Sequence, residues 1–161
     1  MNNKNNNCIN SFFGTRIFSR GSTYFINIQK YKNYLLAFKL LDNNNIIFMA
    51  SATTNYTNVD AKINLCDSTF VEVNSELDSF KNLINCFNNL KLFYVNSYQN
   101  KSDGILELFL TNDNIIYYIP NIKKLDISKE NWLLKNVIPI ENQWFWYKKK
   151  PNMSKSIWEF K

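Results

Sequence analysis

The 161-residue chain has no histidine, only three glycines and only three prolines. Without histidine it lacks the commonest general base, and neither a Ser-His-Asp nor a Cys-His catalytic arrangement can form. The glycines, Gly14, Gly21 and Gly104, stand too far apart to build a glycine-rich phosphate-binding loop. These absences exclude the common designs of hydrolase and nucleotide-binding sites.

Cysteine is also scarce. Cys8, Cys66 and Cys86 are widely spaced, and no Cys-x-x-Cys pair occurs. The sequence therefore predicts neither a structural zinc site nor a disulfide scaffold, and it favours a reducing compartment. No apolar run reaches 18 residues, so we expect no membrane span. We also expect no cofactor, no metal and no small-molecule substrate.

The charge of the chain is unevenly distributed, although its net value is only +6. Residues 1–41 carry six basic side chains and no acidic one, residues 42–113 carry four basic and nine acidic, and residues 114–161 carry nine basic and four acidic. This pattern predicts that both ends face a polyanion while the middle faces solvent or a basic protein. A random scatter of surface charge is the alternative.

A proline-containing apolar run near the end, Val137–Gln143, leads into four aromatic residues and three lysines, Trp144–Tyr147 and Lys148–Lys150. Flat rings stack on bases and lysines contact phosphates, so this order predicts a nucleic-acid-binding tail. A last strand followed by a solvated lysine run is the alternative. For Trp144, Trp146 and Tyr147 we rank protein anchoring slightly ahead of base stacking.

Hydrophobic periodicity predicts an α+β fold. Apolar residues at steps of three and four from Phe70 to Phe87 predict an amphipathic helix, and residues 103–110 are predicted as a second helix, capped by Ser102 or Asp103. Alternation or short apolar runs predict strands at 23–29, 34–41, 46–53, 90–95, 115–119 and 132–138, with a turn at 42–45. Five of these six strands make up the expected architecture, a mixed five-stranded sheet with two helices in the order β-β-β-α-β-α-β.

Three regions are expected along the chain: a basic extended N-terminal arm (1–20), a single α/β domain (21–140) with an insertion near 113–134, and an aromatic and basic C-terminal tail (141–161). The acid-free start, with its Arg and Ser residues, is similar to an organellar presequence, but we favour a retained arm that becomes ordered on a partner. The surplus of Asn, Lys, Ile, Phe and Tyr is typical of an AT-rich genome and favours an organelle-encoded, mitochondrial protein.

Three segments resemble the universal small-subunit ribosomal protein eleven family, the platform protein. Asn45–Thr53 is similar to the third strand of the family and its Ala-Ser-Ala-Gly end, with Thr53 in place of Gly. Leu92–Asn96 resembles the strand before the Gly-Pro-Gly loop, and Asn136–Asn142 resembles the Asp-Val-Thr-Pro-Ile-Pro-His-Asn segment, followed by Lys148–Lys150 as the basic tail. The resemblance covers roughly residues 21–151. The glycine-rich loop of the family is replaced by Asn96–Ser102, which has no glycine, and 113–134 is longer than in the family.

The resemblance implies a structural component of the mitochondrial small ribosomal subunit, without catalytic activity. Its partners would be small-subunit ribosomal RNA and neighbouring ribosomal proteins, at the platform near the messenger RNA exit. RNA contacts are expected from the basic arms, from Lys101 in the loop and from polar side chains. The expected RNA-binding residues are Arg16, Arg20, Lys30, Lys32, Asn33, Ser51, Lys101, Ser102, Lys148, Lys149 and Lys150.

Two other functional classes remain open. The acidic middle and the lack of an active-site motif also suit a protein-binding accessory subunit of an organellar respiratory complex, or an immunity-type inhibitor. An enzyme would have to use carboxylates such as Glu72, Glu76 and Asp78, which stand about one helical turn apart. A solvated helix face explains these three residues far more simply.

Overall fold

The computed structural model describes residues 8–28, 31, 34–53, 73–97 and 104–149. The strands among these residues form a single antiparallel sheet of nine strands. The strands are β1 (Thr15–Arg20), β2 (Thr23–Ile28), β3 (Tyr34–Leu40), β4 (Ile46–Thr53), β5 (Tyr94–Ser97), β6 (Leu106–Phe109), β7 (Asn114–Tyr118), β8 (Ile138–Glu141) and β9 (Trp144–Lys148). Their order across the sheet is β4-β3-β2-β1-β5-β6-β7-β9-β8. The described residues also contain two helices, α1 (Leu77–Asn89) and α2 (Ile127–Asn136), and a 3-10 turn (Ile122–Lys124). Short helical turns occur at 8–11 and 73–75.

Tight turns explain why most neighbouring strands are also neighbours in the chain. Gly21 has a φ of 59° and, with Ser22, forms the two-residue turn between the paired residues Arg20 and Thr23. A positive φ at the first position of a two-residue hairpin turn favours glycine. The turns before β4 and β9 use Asn44 (φ 60°) and Asn142 (φ 38°), because asparagine tolerates this region better than most residues.

Helix α1 covers one face of the sheet, called here the α1 face. Its buried side chains, Phe80, Leu83, Ile84 and Phe87, occur at three- and four-residue steps. They pack on alternate residues of β1 to β4, and the ring centroids of Phe38 and Phe80 are 4.5 Å apart. The Tyr24 hydroxyl donates a hydrogen bond of 2.9 Å to Oδ1 of Asn88. The first hydrophobic core lies between α1 and the first half of the sheet.

Helix α2 covers the opposite face, called the α2 face, over β7 and β9. Trp132 and Leu133 are buried there against Tyr117 and Tyr147, and the Trp132 and Tyr147 ring centroids are 5.2 Å apart. The Asp126 side chain caps the helix by accepting a hydrogen bond of 2.9 Å from the Lys129 amide. The second hydrophobic core therefore lies on the other side of the sheet from the first.

The prediction of a mixed five-stranded sheet with two helices, in the order β-β-β-α-β-α-β, is wrong. The sheet has nine strands and all its pairings are antiparallel. The strands expected within 23–53 and at 115–119 and the turn at 42–45 agree with the structure. The helix expected up to Phe87 is confirmed over Leu77–Asn89.

Two segments have the opposite conformation to the one predicted. Residues 103–110, expected as a helix, contain strand β6, whose residues are nearly all buried because it lies inside the sheet with a core on each face. Residues 132–138, expected as a strand, contain the end of α2. In both segments the apolar run is too short for periodicity alone to separate a strand from a helix.

Both ends of the described chain take part in the sheet. Thr15–Arg20, expected within an extended arm, forms β1, which joins β2 to β5. Trp144–Lys148, expected within a tail, forms β9 between β7 and β8. The sequence predicts no disulfide scaffold, but Cys8 and Cys86 are joined by one disulfide, with their Cα atoms 5.4 Å apart.

Candidate nucleic-acid interface

A strip of four aromatic side chains crosses the α2 face of the first half of the sheet. Phe25, Phe18, Tyr94 and Phe109 stand on the neighbouring strands β2, β1, β5 and β6 and pair directly across them. The rings of Phe18 and Phe25 stack, with centroids 4.9 Å apart and planes at 15°. Tyr94 lies 6.4 Å from Phe18 and 5.2 Å from Phe109. We call these four residues the aromatic strip.

The aromatic strip is only half-buried. Phe18, Phe25 and Tyr94 belong to neither hydrophobic core, and only Phe109 packs against the second one. Helix α1 lies on the other face, and the residues of α2 pack on β7 and β9. In the part of the chain that the structure describes, the strip is therefore a surface of rings that no helix covers.

Three cationic side chains share this face with the strip. Arg16, Phe18 and Arg20 alternate along β1, so their side chains project from the same side. Thr23 pairs with both Arg20 and Lys39, which places these two residues in one row, ~10 Å apart at two strand spacings. Arg20 and Lys39 are exposed and Arg16 is half-buried. The strip is thus bordered by positive charge.

One acidic side chain lies on the described strands of this face, and it is hidden. Glu107 is 2% exposed, and its Oε2 accepts a hydrogen bond of 2.8 Å from Nδ2 of Asn96. Tyr117 pairs directly with Glu107 across the neighbouring strand, and its hydroxyl is buried. Burial first, and the negative charge of Glu107 second, raise the pKa of Tyr117 far above its usual 10.0. A phosphate on the strip would meet no exposed carboxylate from these strands.

The predicted site residues are distributed over several places. Arg16 and Arg20 border the aromatic strip, as described above. Lys148 and Lys149 are exposed at the end of β9, where the Lys149 amide donates a hydrogen bond of 2.7 Å to the Asp113 carbonyl. Arg20 and Lys149 stand at the same end of the sheet, ~19 Å apart across four strand spacings. A single strand of nucleic acid is long enough to reach both.

The other predicted residues are buried, are packed within the sheet or lie outside the described part of the chain. Ser51 is 2% exposed on the α1 face, and Tyr147 is 3% exposed in the second core. Trp144 packs against the edge of the first core, 4.6 Å from the Tyr118 ring. Trp146 is half-buried on β9, between its partners Ile116 and Ile138. Lys30, Lys32, Asn33, Lys101, Ser102 and Lys150 lie outside the described residues.

Sequence reasoning missed the aromatic strip and Lys39. The order Arg16-Ile17-Phe18-Ser19-Arg20 does carry a signal, because alternation in a strand places its two arginines and its phenylalanine on one face. The prediction of an extended arm over 1–20 places this segment outside the folded domain, where strand alternation does not apply.

No protein-family model, no curated protein and no solved structure matches the chain. Among the described residues, no group of three or more Cys, Asp or Glu side chains is arranged to hold a metal ion. None of the described helices is both long enough and apolar enough to cross a membrane.

Proposed function

We propose that the protein binds single-stranded RNA across β2, β1, β5 and β6 and serves as a structural, non-catalytic component of a ribonucleoprotein particle. The aromatic strip, bordered by Arg16, Arg20 and Lys39, carries this proposal. Every base has a flat face, so stacking on such rings tolerates many sequences.

The arrangement favours single strands over duplex. Bases in a duplex already stack on each other and cannot lie on Phe18 or Phe25 without unpairing, whereas unpaired bases can. The cations stand beside the rings on the same face, where the phosphates of a stacked strand would pass. On the described strands of this face, no exposed carboxylate competes with those phosphates for the cations.

The particle we propose is the small ribosomal subunit of a mitochondrion, with its ribosomal RNA and neighbouring ribosomal proteins as partners and messenger RNA nearby. The basic ends of the sequence support this choice, as do the likenesses at 45–53 and 136–142. The five-stranded fold implied by that resemblance is not the fold of this chain. The proposal therefore depends on the aromatic strip and the charges, and not on topology.

Titration of the protein with a fluorescent 12-nucleotide oligouridine, and with the same strand annealed to its complement, tests RNA binding. We expect the single strand to bind more tightly. Phe18→Leu and Phe25→Leu keep an apolar side chain but remove the ring, and each should weaken binding about tenfold, since stacking contributes about 1–3 kcal/mol per base. Phe93→Leu is the matched control, because Phe93 is 53% exposed, precedes β5 and is not part of the aromatic strip.

Equal affinity of the Phe18 and Phe93 variants for the oligonucleotide, with both folded by circular dichroism, would contradict the proposal. The particle is tested separately by sedimenting native extract through a sucrose gradient. We expect the protein in the small-subunit peak and expect ribonuclease to shift it to the top of the gradient. Recovery in a membrane complex that survives ribonuclease would favour the accessory-subunit alternative.

A further inference from the structure

A second surface lies on the α1 face, over the half of the sheet that α1 does not cover. A cleft of about 230 Å³ opens there, and it is lined almost entirely by apolar side chains. These include Leu90, Leu92, Leu108, Ile116, Ile140 and Trp144, from the end of α1 and from β6, β7, β8 and β9. We call this surface the apolar cleft.

Large aliphatic side chains are exposed at the apolar cleft. Ile140 and Leu110 line it and are 57% and 44% exposed, and Ile138, also 57% exposed, stands on the same edge strand. Contiguous exposed apolar surface of this kind marks an interaction site more often than single exposed residues do. The cleft is separate from the aromatic strip, which lies on the opposite face.

We propose that the apolar cleft binds an amphipathic helix of a partner protein, with aliphatic side chains in the cleft and an acidic flank toward Lys91 and Lys148. This inference does not depend on RNA binding. Helices also cover the two hydrophobic cores of this sheet, α1 over one half and α2 over the reverse of the other.

Two other kinds of occupant fit less well. A partner strand would have to pair with the edge strand β8, but Pro139 has no amide hydrogen and the register is irregular between Pro139 and Glu141. A cofactor-sized molecule would need a larger cavity, since pockets for such ligands measure about 300–1,000 Å³. A cleft of this size suits one or two anchoring side chains of a protein.

The charges around the cleft determine at which end the acidic flank of the bound partner helix should lie. Lys91 is exposed between the lining residues Leu90 and Leu92, and Lys148 is exposed at the end of β9, opposite Asn114. Neither lysine forms an ion pair with another described residue. Glu141 lines the far end of the cleft and would repel an acidic residue there. The acidic flank should therefore lie at the end where the lysines stand.

Two designed 18-residue helical peptides test the inference. They share one leucine face and differ only in the flanking residues, which are Glu in one and Lys in the other. Titrated into the full-length protein, the Glu peptide should bind at least about tenfold more tightly than the Lys peptide. Ile140→Ser should weaken the Glu peptide about tenfold by removing an apolar contact. Ile127→Ser is the matched control, since Ile127 is 76% exposed on α2.

Equal affinity for the two peptides, or equal loss in the Ile140 and Ile127 variants, would overturn the inference. Sedimentation equilibrium of the protein alone tests a second copy of the chain as occupant. A dimer that Ile140→Ser dissociates and Ile127→Ser does not would show that the cleft binds another copy, and the partner-helix proposal would be wrong. Near-ultraviolet circular dichroism confirms that each variant remains folded.

Discussion

Cys8 and Cys86 are joined by a disulfide between residues 78 positions apart. Cys8 lies in the helical turn before β1, and Cys86 lies in the last turn of α1. The bond holds that turn on the helix, next to Ile9 and Phe12, which are both buried in the first core. The start of β1, which carries part of the aromatic strip, is therefore fixed to the helix on the opposite face.

Cys86→Ser should lower the free energy of unfolding by about 2–5 kcal/mol, because a disulfide that closes a long loop restricts the unfolded chain. Urea unfolding followed by circular dichroism measures the change. A reductant should destabilise the wild-type protein by the same amount and leave the Cys86→Ser variant unaffected. A wild-type unfolding curve that does not respond to the reductant would contradict the prediction.

Phe80→Ala or Ile84→Ala should each cost about 2–5 kcal/mol of stability, because both side chains are buried under α1. Asn82→Ala, on the exposed side of the same helix, is the control and should change stability little. Chemical unfolding of the three variants measures the difference. A loss below about 1 kcal/mol at both buried positions would mean that α1 does not pack as described.

The fold was predictable where one face of an element is buried and the other is exposed. The periodicity up to Phe87 identified α1, and the alternation within Thr23–Ile28 identified β2. Strand β6 gave no such signal, because residues on both of its faces are buried. Helix α2 has only Trp132 and Leu133 buried, so its apolar stripe is too short to show a helical period.

The sequence predicted basic residues of the candidate site but did not predict its aromatic strip. The acid-free start of the sequence pointed to Arg16 and Arg20, which do border the aromatic strip. The strip itself depends on the register between β1, β2 and β5, which joins residues more than 70 positions apart in the chain. Strand pairings between residues so far apart depend on the tertiary structure, and the local sequence pattern cannot predict them. The consecutive aromatics Trp144–Tyr147 alternate between the two faces of β9 instead of forming one surface.

The Asp126 cap should make the stability of α2 decrease at low pH. A hydrogen bond from the Lys129 amide, and a second one from the Lys129 side chain, lower the pKa of Asp126 below its usual 3.8 in the folded protein. A lowered folded-state pKa gives stability that is present above the unfolded pKa and is lost as the pH falls through the folded one. Asp126→Ala should therefore lower the melting temperature at pH 7, and the difference from wild type should shrink below pH 3.8. A difference that stays constant down to pH 2 would rule out this cap as its source.

RNA binding at the aromatic strip should respond to Arg20 and Lys39, and helix binding at the apolar cleft should respond to Lys91. Arg20→Gln or Lys39→Gln removes a cation beside the aromatic strip and should lower the slope of log affinity against log salt by about 0.7 for each lost phosphate contact with a single strand. Lys91→Gln, on the other face, should leave that slope unchanged but weaken the Glu peptide at the apolar cleft. Phe18→Leu should weaken RNA binding at every salt concentration without changing the slope, because stacking releases no counterions.

A triple variant in which Gln replaces Lys148, Lys149 and Lys150 tests whether the lysines at the end of β9 contact RNA. Lys148 and Lys149 are exposed, so the fold should be retained. Because Lys149 stands ~19 Å from Arg20 across the sheet, only a strand that extends beyond the aromatic strip can reach both. We therefore expect the triple variant to lose affinity for a 12-nucleotide strand and to bind a 4-nucleotide strand as the wild type does. An equal loss of affinity for both strand lengths would mean that these lysines act only through the net charge of the protein. The proposal that a bound RNA strand runs from the aromatic strip to β9 would then be wrong.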